Sequence, residues 1–275
     1  MNEITKISSR NNAKLVRARQ VRDGKIDDLI FIEGLRLSVE TLRSGLTIND
    51  CFVTRTFAES ERGGAMIDDA NARNIAVFEV AESSFPSVAD TKNSQGVILI
   101  AGRPVAGREE VEKNIQSAKS ALVVFLSEIN DPSNLGAVFR TAEAAGVAGV
   151  VVSKGSADVF APKALRAAMG ASLRLPVWEN ADVADLIQWS KANRLRTTAA
   201  DISAETFYTD IDWKQRRLII FGSEAHGLKR EVLEIVDDLV LIPMQNDVES
   251  LNVAVSAGII LFETVRQRSL RKSLS

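Results

Sequence analysis

Three short segments in the second half of the chain hold residue types that could serve one site. The first is Asn130-Asp131-Pro132-Ser133-Asn134-Leu135-Gly136, continuing through Arg140 to Ala142. The second is Phe221-Gly222-Ser223-Glu224-Ala225-His226-Gly227-Leu228. The third is Ile242-Pro243-Met244, closed by Glu249-Ser250-Leu251-Asn252-Val253-Ala254. Each follows an apolar run of strand character and puts small or polar residues where a helix would start. In an open parallel sheet the carboxyl ends of the strands form the ligand crevice. Carboxamides, a guanidinium, a hydroxyl and a carboxylate gathered there suit positioning and charge stabilisation.

Several site chemistries are unsupported. A dinucleotide-binding turn needs Gly-x-Gly-x-x-Gly after the first strand, where this chain has Asp-Pro-Ser-Asn-Leu-Gly. Gly222 and Gly227 have P-loop spacing, but Leu228 stands where the lysine must be. His226 is the only histidine and Cys51 the only cysteine, so a disulfide framework, a cysteine zinc site and a histidine triad are not expected. No metal is expected.

Arg140 is a poor general base, because a guanidinium keeps its proton at ordinary pH. It is well made for a bidentate grip on phosphate and for stabilising a developing oxyanion. Asn134 and Arg140, six apart, lie about 600° apart on a helix and share a face only if Asn134 belongs to the preceding loop. Structural duties also fit these residues: Asn134 and Ser250 as helix N-caps, Arg140 in a surface ion pair. Gly222 lets backbone approach a flat ligand, or simply makes a tight turn. Asn252, within an apolar stretch, needs a ligand or a loop carbonyl if it is buried.

Around these segments the elements follow from periodicity. The first part alternates: a basic helix around Asn11–Asp23, a strand Leu29–Ile32 and a helix Arg36–Ser44. A strand Cys51–Thr54, a helix near Glu59–Ala72 and strands Ala76–Glu79 and Gly96–Ile100 complete it. Gly102-Arg103-Pro104-Val105-Ala106-Gly107 breaks the pattern. The expected division is a smaller α/β domain over residues 1–103, a linker over 104–118 and a second α/β domain over 119–275. In the latter the runs Leu122–Leu126, Val147–Val152, Leu218–Phe221 and Leu239–Ile242 are continuously apolar, as parallel strands buried on both faces are. Leu251–Phe262 is apolar nearly all round and needs cover on more than one side.

With 45% hydrophobic and 25% charged residues, the 275-residue chain has ordinary globular composition. No apolar stretch is long enough to span a bilayer, and no apolar region follows Met1-Asn2-Glu3 as in a signal peptide; a cytoplasmic location is expected. Net charge is −2, yet Lys6, Arg10, Lys14, Arg17, Arg19, Arg22 and Lys25 crowd the start, and Arg266, Arg268, Arg271 and Lys272 the end. These clusters fit a polyanion footprint or merely solvated ends.

The three segments resemble, in order and spacing, the signature motifs of the SpoU (TrmH-type) RNA 2′-O-methyltransferases of the SPOUT superfamily, over roughly residues 119–268. Phe31-Ile32-Glu33-Gly34 and Gln95-Gly96-Val97-Ile98-Leu99 more weakly resemble the ribosomal-protein-like substrate-binding domain of such enzymes. The resemblance implies a SPOUT parallel sheet with a C-terminal trefoil knot, a homodimer, and S-adenosylmethionine as cofactor. It makes Asn134, Arg140, Glu224, Ser250 and Asn252 catalytic residues, with Arg140 activating the ribose hydroxyl. Gly222, Ile242, Met244 and Leu251 then hold the adenosine. RNA is the implied substrate, ribosomal RNA (23S first) ahead of transfer RNA, with no membrane partner. The competing expectation is a catalytically idle RNA-binding or ribosome-assembly protein on the same fold.

Overall fold

The continuously apolar runs of the second half become strands of one parallel sheet, while the more mixed runs of the first half build a second sheet. A computed structural model describes residues 4–223, 226–246 and 250–269. Its first elements are β1 (Thr5–Ile7), α1 (Ala13–Arg22), β2 (Leu29–Glu33), α2 (Leu35–Arg43), β3 (Ile48–Thr54), α3 (Arg55–Ala58), α4 (Glu61–Ala72), β4 (Val77–Val80) and β5 (Val97–Gly102). Next come α5 (Arg108–Ser117), β6 (Leu122–Leu126), α6 (Pro132–Ala144), β7 (Gly149–Ser153), α7 (Pro162–Ala168), β8 (Val177–Ala181) and α8 (Val183–Ala192). The last are β9 (Arg196–Ala200), β10 (Arg217–Phe221), α9 (Arg230–Leu233), β11 (Asp238–Val240) and α10 (Val253–Ser269).

The chain gathers into two units, Met1–Pro104 with Phe160–Leu173, and Val105–Val159 with Arg174–Ser275. Residues 160–173 thus leave the 119–275 span in which the sequence placed them. The reason lies in α7, whose Ala164, Leu165 and Ala168 are buried. Its Arg166 pairs with Asp90 at 2.7 Å and with Glu33 at 3.7 Å, both in the first unit.

In the first unit the sheet order is β1-β4-β3-β5-β2. β1, β4 and β3 run parallel, and β5 is antiparallel to both β3 and β2. Leu15, Ala18 and Val21 of α1 close over Phe31, Phe52, Ile98 and Ile100. Cys51 lies fully buried in β3, and loss of hydration, with the Asp50 carboxylate adding to it, pushes its thiol up to about 12.

The basic N-terminal cluster is partly committed to the fold. Lys14 pairs with the buried Asp50 at 2.6 Å, and Arg22 donates to the carbonyls of Val88 and Ala89. Arg19 donates to the Arg10 carbonyl. At the other end Arg266 pairs with Glu263, and Arg268 donates to the Trp213 carbonyl at 3.0 Å. Arg271 and Lys272 lie outside the described residues. These cations hold the chain's own carbonyls and carboxylates.

The second unit is a six-stranded sheet of order β11-β9-β10-β6-β7-β8, parallel throughout. Every residue of β6, β7 and β10 is buried, as two-sided helix cover requires. β10 begins with Arg217, 2% exposed, which bonds Thr198 Oγ1 at 2.7 Å and Asp238 at 2.5 Å. Arg196 adds a two-pronged bond to the same carboxylate. This cluster joins β9, β10 and β11 at their amino ends, opposite the edge where the three segments lie. Among the described residues no helix is long and apolar enough to cross a membrane.

Candidate active site at the carboxyl ends of the parallel strands

Because all six strands of the second sheet are parallel, the loops after β6, β10 and β11 leave from one edge. These loops carry the three segments. The first leads into α6, which begins two residues before Asn134. Asp131 is the cap, accepting from Ser133 N at 2.9 Å, and Pro132 takes the first helical position. Asn134 and Arg140 are therefore both helical and point to different faces. Asn134 is half-buried; Arg140 is exposed about one and two-thirds turns further on, about 9 Å along the axis.

The third segment corrects another cap. Asn252, not Ser250, caps α10: its Oδ1 accepts from Ala254 N at 2.9 Å and its carbonyl accepts from Val255 N and Ser256 N. The Asn252 carboxamide is exposed and satisfied. Its Nδ2 donates to Asn134 Oδ1 at 2.9 Å, so two residues 118 apart meet where α6 and α10 both begin. The helices then pack side by side, close enough that a Cβ on Gly258 would touch the Thr141 methyl at 3.9 Å. Ser250 is exposed in the loop before the cap.

In the second segment the chain doubles back after β10. Ser223 and Gly227 exchange backbone bonds of 3.2 and 2.9 Å, and His226 N donates to Ser223 Oγ. A Cβ on Gly222 would stand 2.3 Å from the Gly227 carbonyl carbon. This self-contact is what requires glycine there. Glu224 lies outside the described residues. Ile242, Met244 and Leu251 are half-buried on the loop between β11 and α10.

The neighbouring loop is fastened by groups absent from the sequence reading. Glu128 holds a left-handed conformation at φ +57°, its N–H donating to Ser153 Oγ at 2.8 Å. Lys229, just after the Gly222 turn, reaches Glu128 at 2.6 Å and ties the first segment to the second. The Asp131-Pro132 pair was a legible cap signal; Glu128 and Lys229, 101 residues apart, carried none.

The site therefore has a bonded Asn134–Asn252 pair, half-buried apolar side chains on the loop that leads to it, and two loops held together by an ion pair. The description SpoU rRNA Methylase family matches residues 121–262, and MRM3-like substrate binding domain matches residues 7–99. An uncharacterized tRNA/rRNA methyltransferase from Mycolicibacterium vanbaalenii is 33% identical over 261 residues, covering 93% of this chain and 82% of that protein. A solved RNA 2′-O ribose methyltransferase superposes with a TM-score of 0.80 at 27% identity, covering 96% of this chain and 99% of the other. An AdoMet-bound rRNA methyltransferase from Sinorhizobium meliloti gives 0.82 at 26% identity, with 96% and 98% covered. The chain belongs to the SpoU (TrmH-type) family of S-adenosylmethionine-dependent RNA methyltransferases.

Proposed function

We propose that this enzyme methylates a ribose 2′-hydroxyl in ribosomal RNA, with 23S preferred over 16S and transfer RNA. The observation that carries the reading is the Asn134–Asn252 pair at the carboxyl edge of a wholly parallel sheet. The 2′-O ribose methyltransferase and the rRNA methyltransferase of similar fold support the acceptor and the RNA class.

The cofactor supplies an electrophilic methyl carbon on a sulfonium. The half-buried Ile242, Met244 and Leu251 fit it as apolar cover for an adenine ring, and Gly222 leaves β10 at the same edge of the sheet. Asn134 and Asn252 hold each other's carboxamides and orient the acceptor ribose, with the exposed Ser250 two residues before the cap. Arg140, exposed and without an ion-pair partner among the described residues, grips the target phosphate in a bidentate fork. Its fixed charge stabilises the 2′-oxyanion that develops as the hydroxyl proton passes to solvent, and orientation of that oxygen toward the methyl carbon lowers the barrier further.

The assembly is part of the same proposal. On α10, Val255 and Phe262 remain 50% exposed and share a stripe with Ile259, although α6 packs along the same helix. A second copy across a two-fold axis would cover that stripe. The trefoil knot also belongs here. β11 is the edge strand, yet the helix after it returns to α6, which follows β6 three strands away.

The test replaces only the 2′-hydroxyl of the target nucleotide by hydrogen. Methyl transfer should vanish while RNA binding survives, since phosphate contacts supply much of the affinity. Continued methylation would move the acceptor to a base atom. Arg140→Ala should lower kcat by roughly 100-fold or more with cofactor affinity unchanged. Arg140→Lys should rescue little, because a point charge lacks the fork. No methyl transfer to unmodified ribosomal RNA would favour the idle assembly protein.

A further inference from the structure

The first unit carries a cleft of about 840 Å³, within the range of roughly 300–1,000 Å³ that ligand sites occupy. It opens where the parallel strands β3 and β4 end, the edge at which such sheets bind ligands. Phe57 and Phe85 form a buried apolar floor, and Thr56, Ser60, Lys92 and Gln95 stand exposed around it.

Its far wall, residues 89–96, is fastened at both ends. Asp90 N and Thr91 N donate to the buried Glu33 at 3.1 and 3.2 Å, and Thr91 Oγ1 adds a bond of 2.8 Å. Arg166 holds the Asp90 carboxylate at 2.7 Å. At the other end Gln95 Oε1 accepts from Leu35 N at 2.8 Å. Gly96, at φ +75°, presses so close to Thr54 that a Cβ would lie 2.5 Å from its hydroxyl. Between these anchors Lys92 and Asn93 are exposed, with no side-chain hydrogen bond or ion pair among the described residues. A wall fixed before binding loses little entropy when a ligand arrives.

Charge narrows the ligand. Asp90 is answered by Arg166, and Glu82, which accepts from Thr56 N at 3.1 Å, shares the lining with the cation of Lys92. A near-neutral cleft with an apolar floor and a rim of hydroxyls and amides suits a heterocycle better than a run of phosphates. Unstacked bases are the parts of RNA that proteins recognise through edge hydrogen bonds. We infer that this cleft takes one unpaired base of the RNA substrate, with Lys92 on the adjoining phosphate. The inference rests on RNA being the substrate.

The test uses the full-length protein with randomised 12-nucleotide single-stranded RNA carrying 4-thiouridine, and methyl transfer to unmodified ribosomal RNA. Crosslinks should fall on residues 56–60 and 83–95. Thr56→Trp, which fills the cleft, should raise KM for RNA about tenfold with kcat within about twofold. Its melting temperature and cofactor affinity should be unchanged. Lys92→Ala, a milder change, should raise KM a few-fold and flatten its salt dependence. Crosslinks elsewhere, with both variants at wild-type KM and methylation intact, would overturn the cleft and leave the RNA reading standing. A wild-type protein that neither crosslinks to nor methylates RNA would overturn both.

Discussion

Asn252 joins two helix entrances at once: its Oδ1 caps α10 and its Nδ2 donates to Asn134 on α6 at 2.9 Å. Asn252→Ala should destabilise the protein by about 1 kcal/mol through the lost cap, plus a coupling to Asn134 of about 0.5–1 kcal/mol. Urea unfolding of both single variants and the double variant measures the coupling. Strict additivity would show that the bond contributes nothing in solution.

Gly222 separates loop geometry from ligand contact. Because a Cβ there meets the Gly227 backbone at 2.3 Å, Gly222→Ala should cost about 1–3 kcal/mol even without cofactor. Met244→Ala should leave the melting temperature nearly unchanged and weaken cofactor binding in calorimetric titration. A Gly222→Ala protein of wild-type stability would refute the self-contact argument.

Asp238 sets an acid limit on the second sheet. Hydrogen bonding from Arg196, with Arg217 beside it, holds its carboxyl below the usual carboxylate range despite partial burial. A folded-state value below the unfolded one makes its contribution complete above about pH 4. That contribution is lost as pH falls through the folded value. Asp238→Asn should cost about 2 kcal/mol or more at pH 7, because buried Arg217 loses its anion. Denaturation from pH 7 to 2 should show the difference between wild type and variant shrinking on the acid side. A constant difference would remove the carboxylate from the account.

The half-exposed stripe of Val255, Ile259 and Phe262 predicts a homodimer at micromolar concentration. Phe262→Glu should yield monomer with intact circular dichroism, since half of that side chain already faces water. Sedimentation of a monomeric wild type would count against the two-fold assembly.

The legible parts of this fold were those with a local cause. β6 and β10 follow from apolar runs of five and four residues, Leu122–Leu126 and Leu218–Phe221, that only two-sided burial explains. β9, reading Arg-Thr-Thr-Ala-Ala, went unseen because its strand character comes from neighbours β10 and β11 rather than from its own hydrophobicity. The cap of α6 is Asp131, three residues before Asn134, and Asp131-Pro132 is its local signal. The basic ends suggested a footprint, but Lys14, Arg22 and Arg268 are occupied by partners far along the chain.

The sequence by itself determined the parallel strands of the second sheet and the three strand-end segments, because apolar runs and turn residues act within a few positions of themselves. Tertiary structure alone decided which side chains meet. It bonded Asn134 to Asn252, tied Lys229 to Glu128 and gave Gly222 its backbone neighbour five residues on. It also drew α7 out of the second unit onto Glu33 and Asp90. Such pairings depend on where separate elements converge after the sheets have formed, and no local pattern encodes that distance.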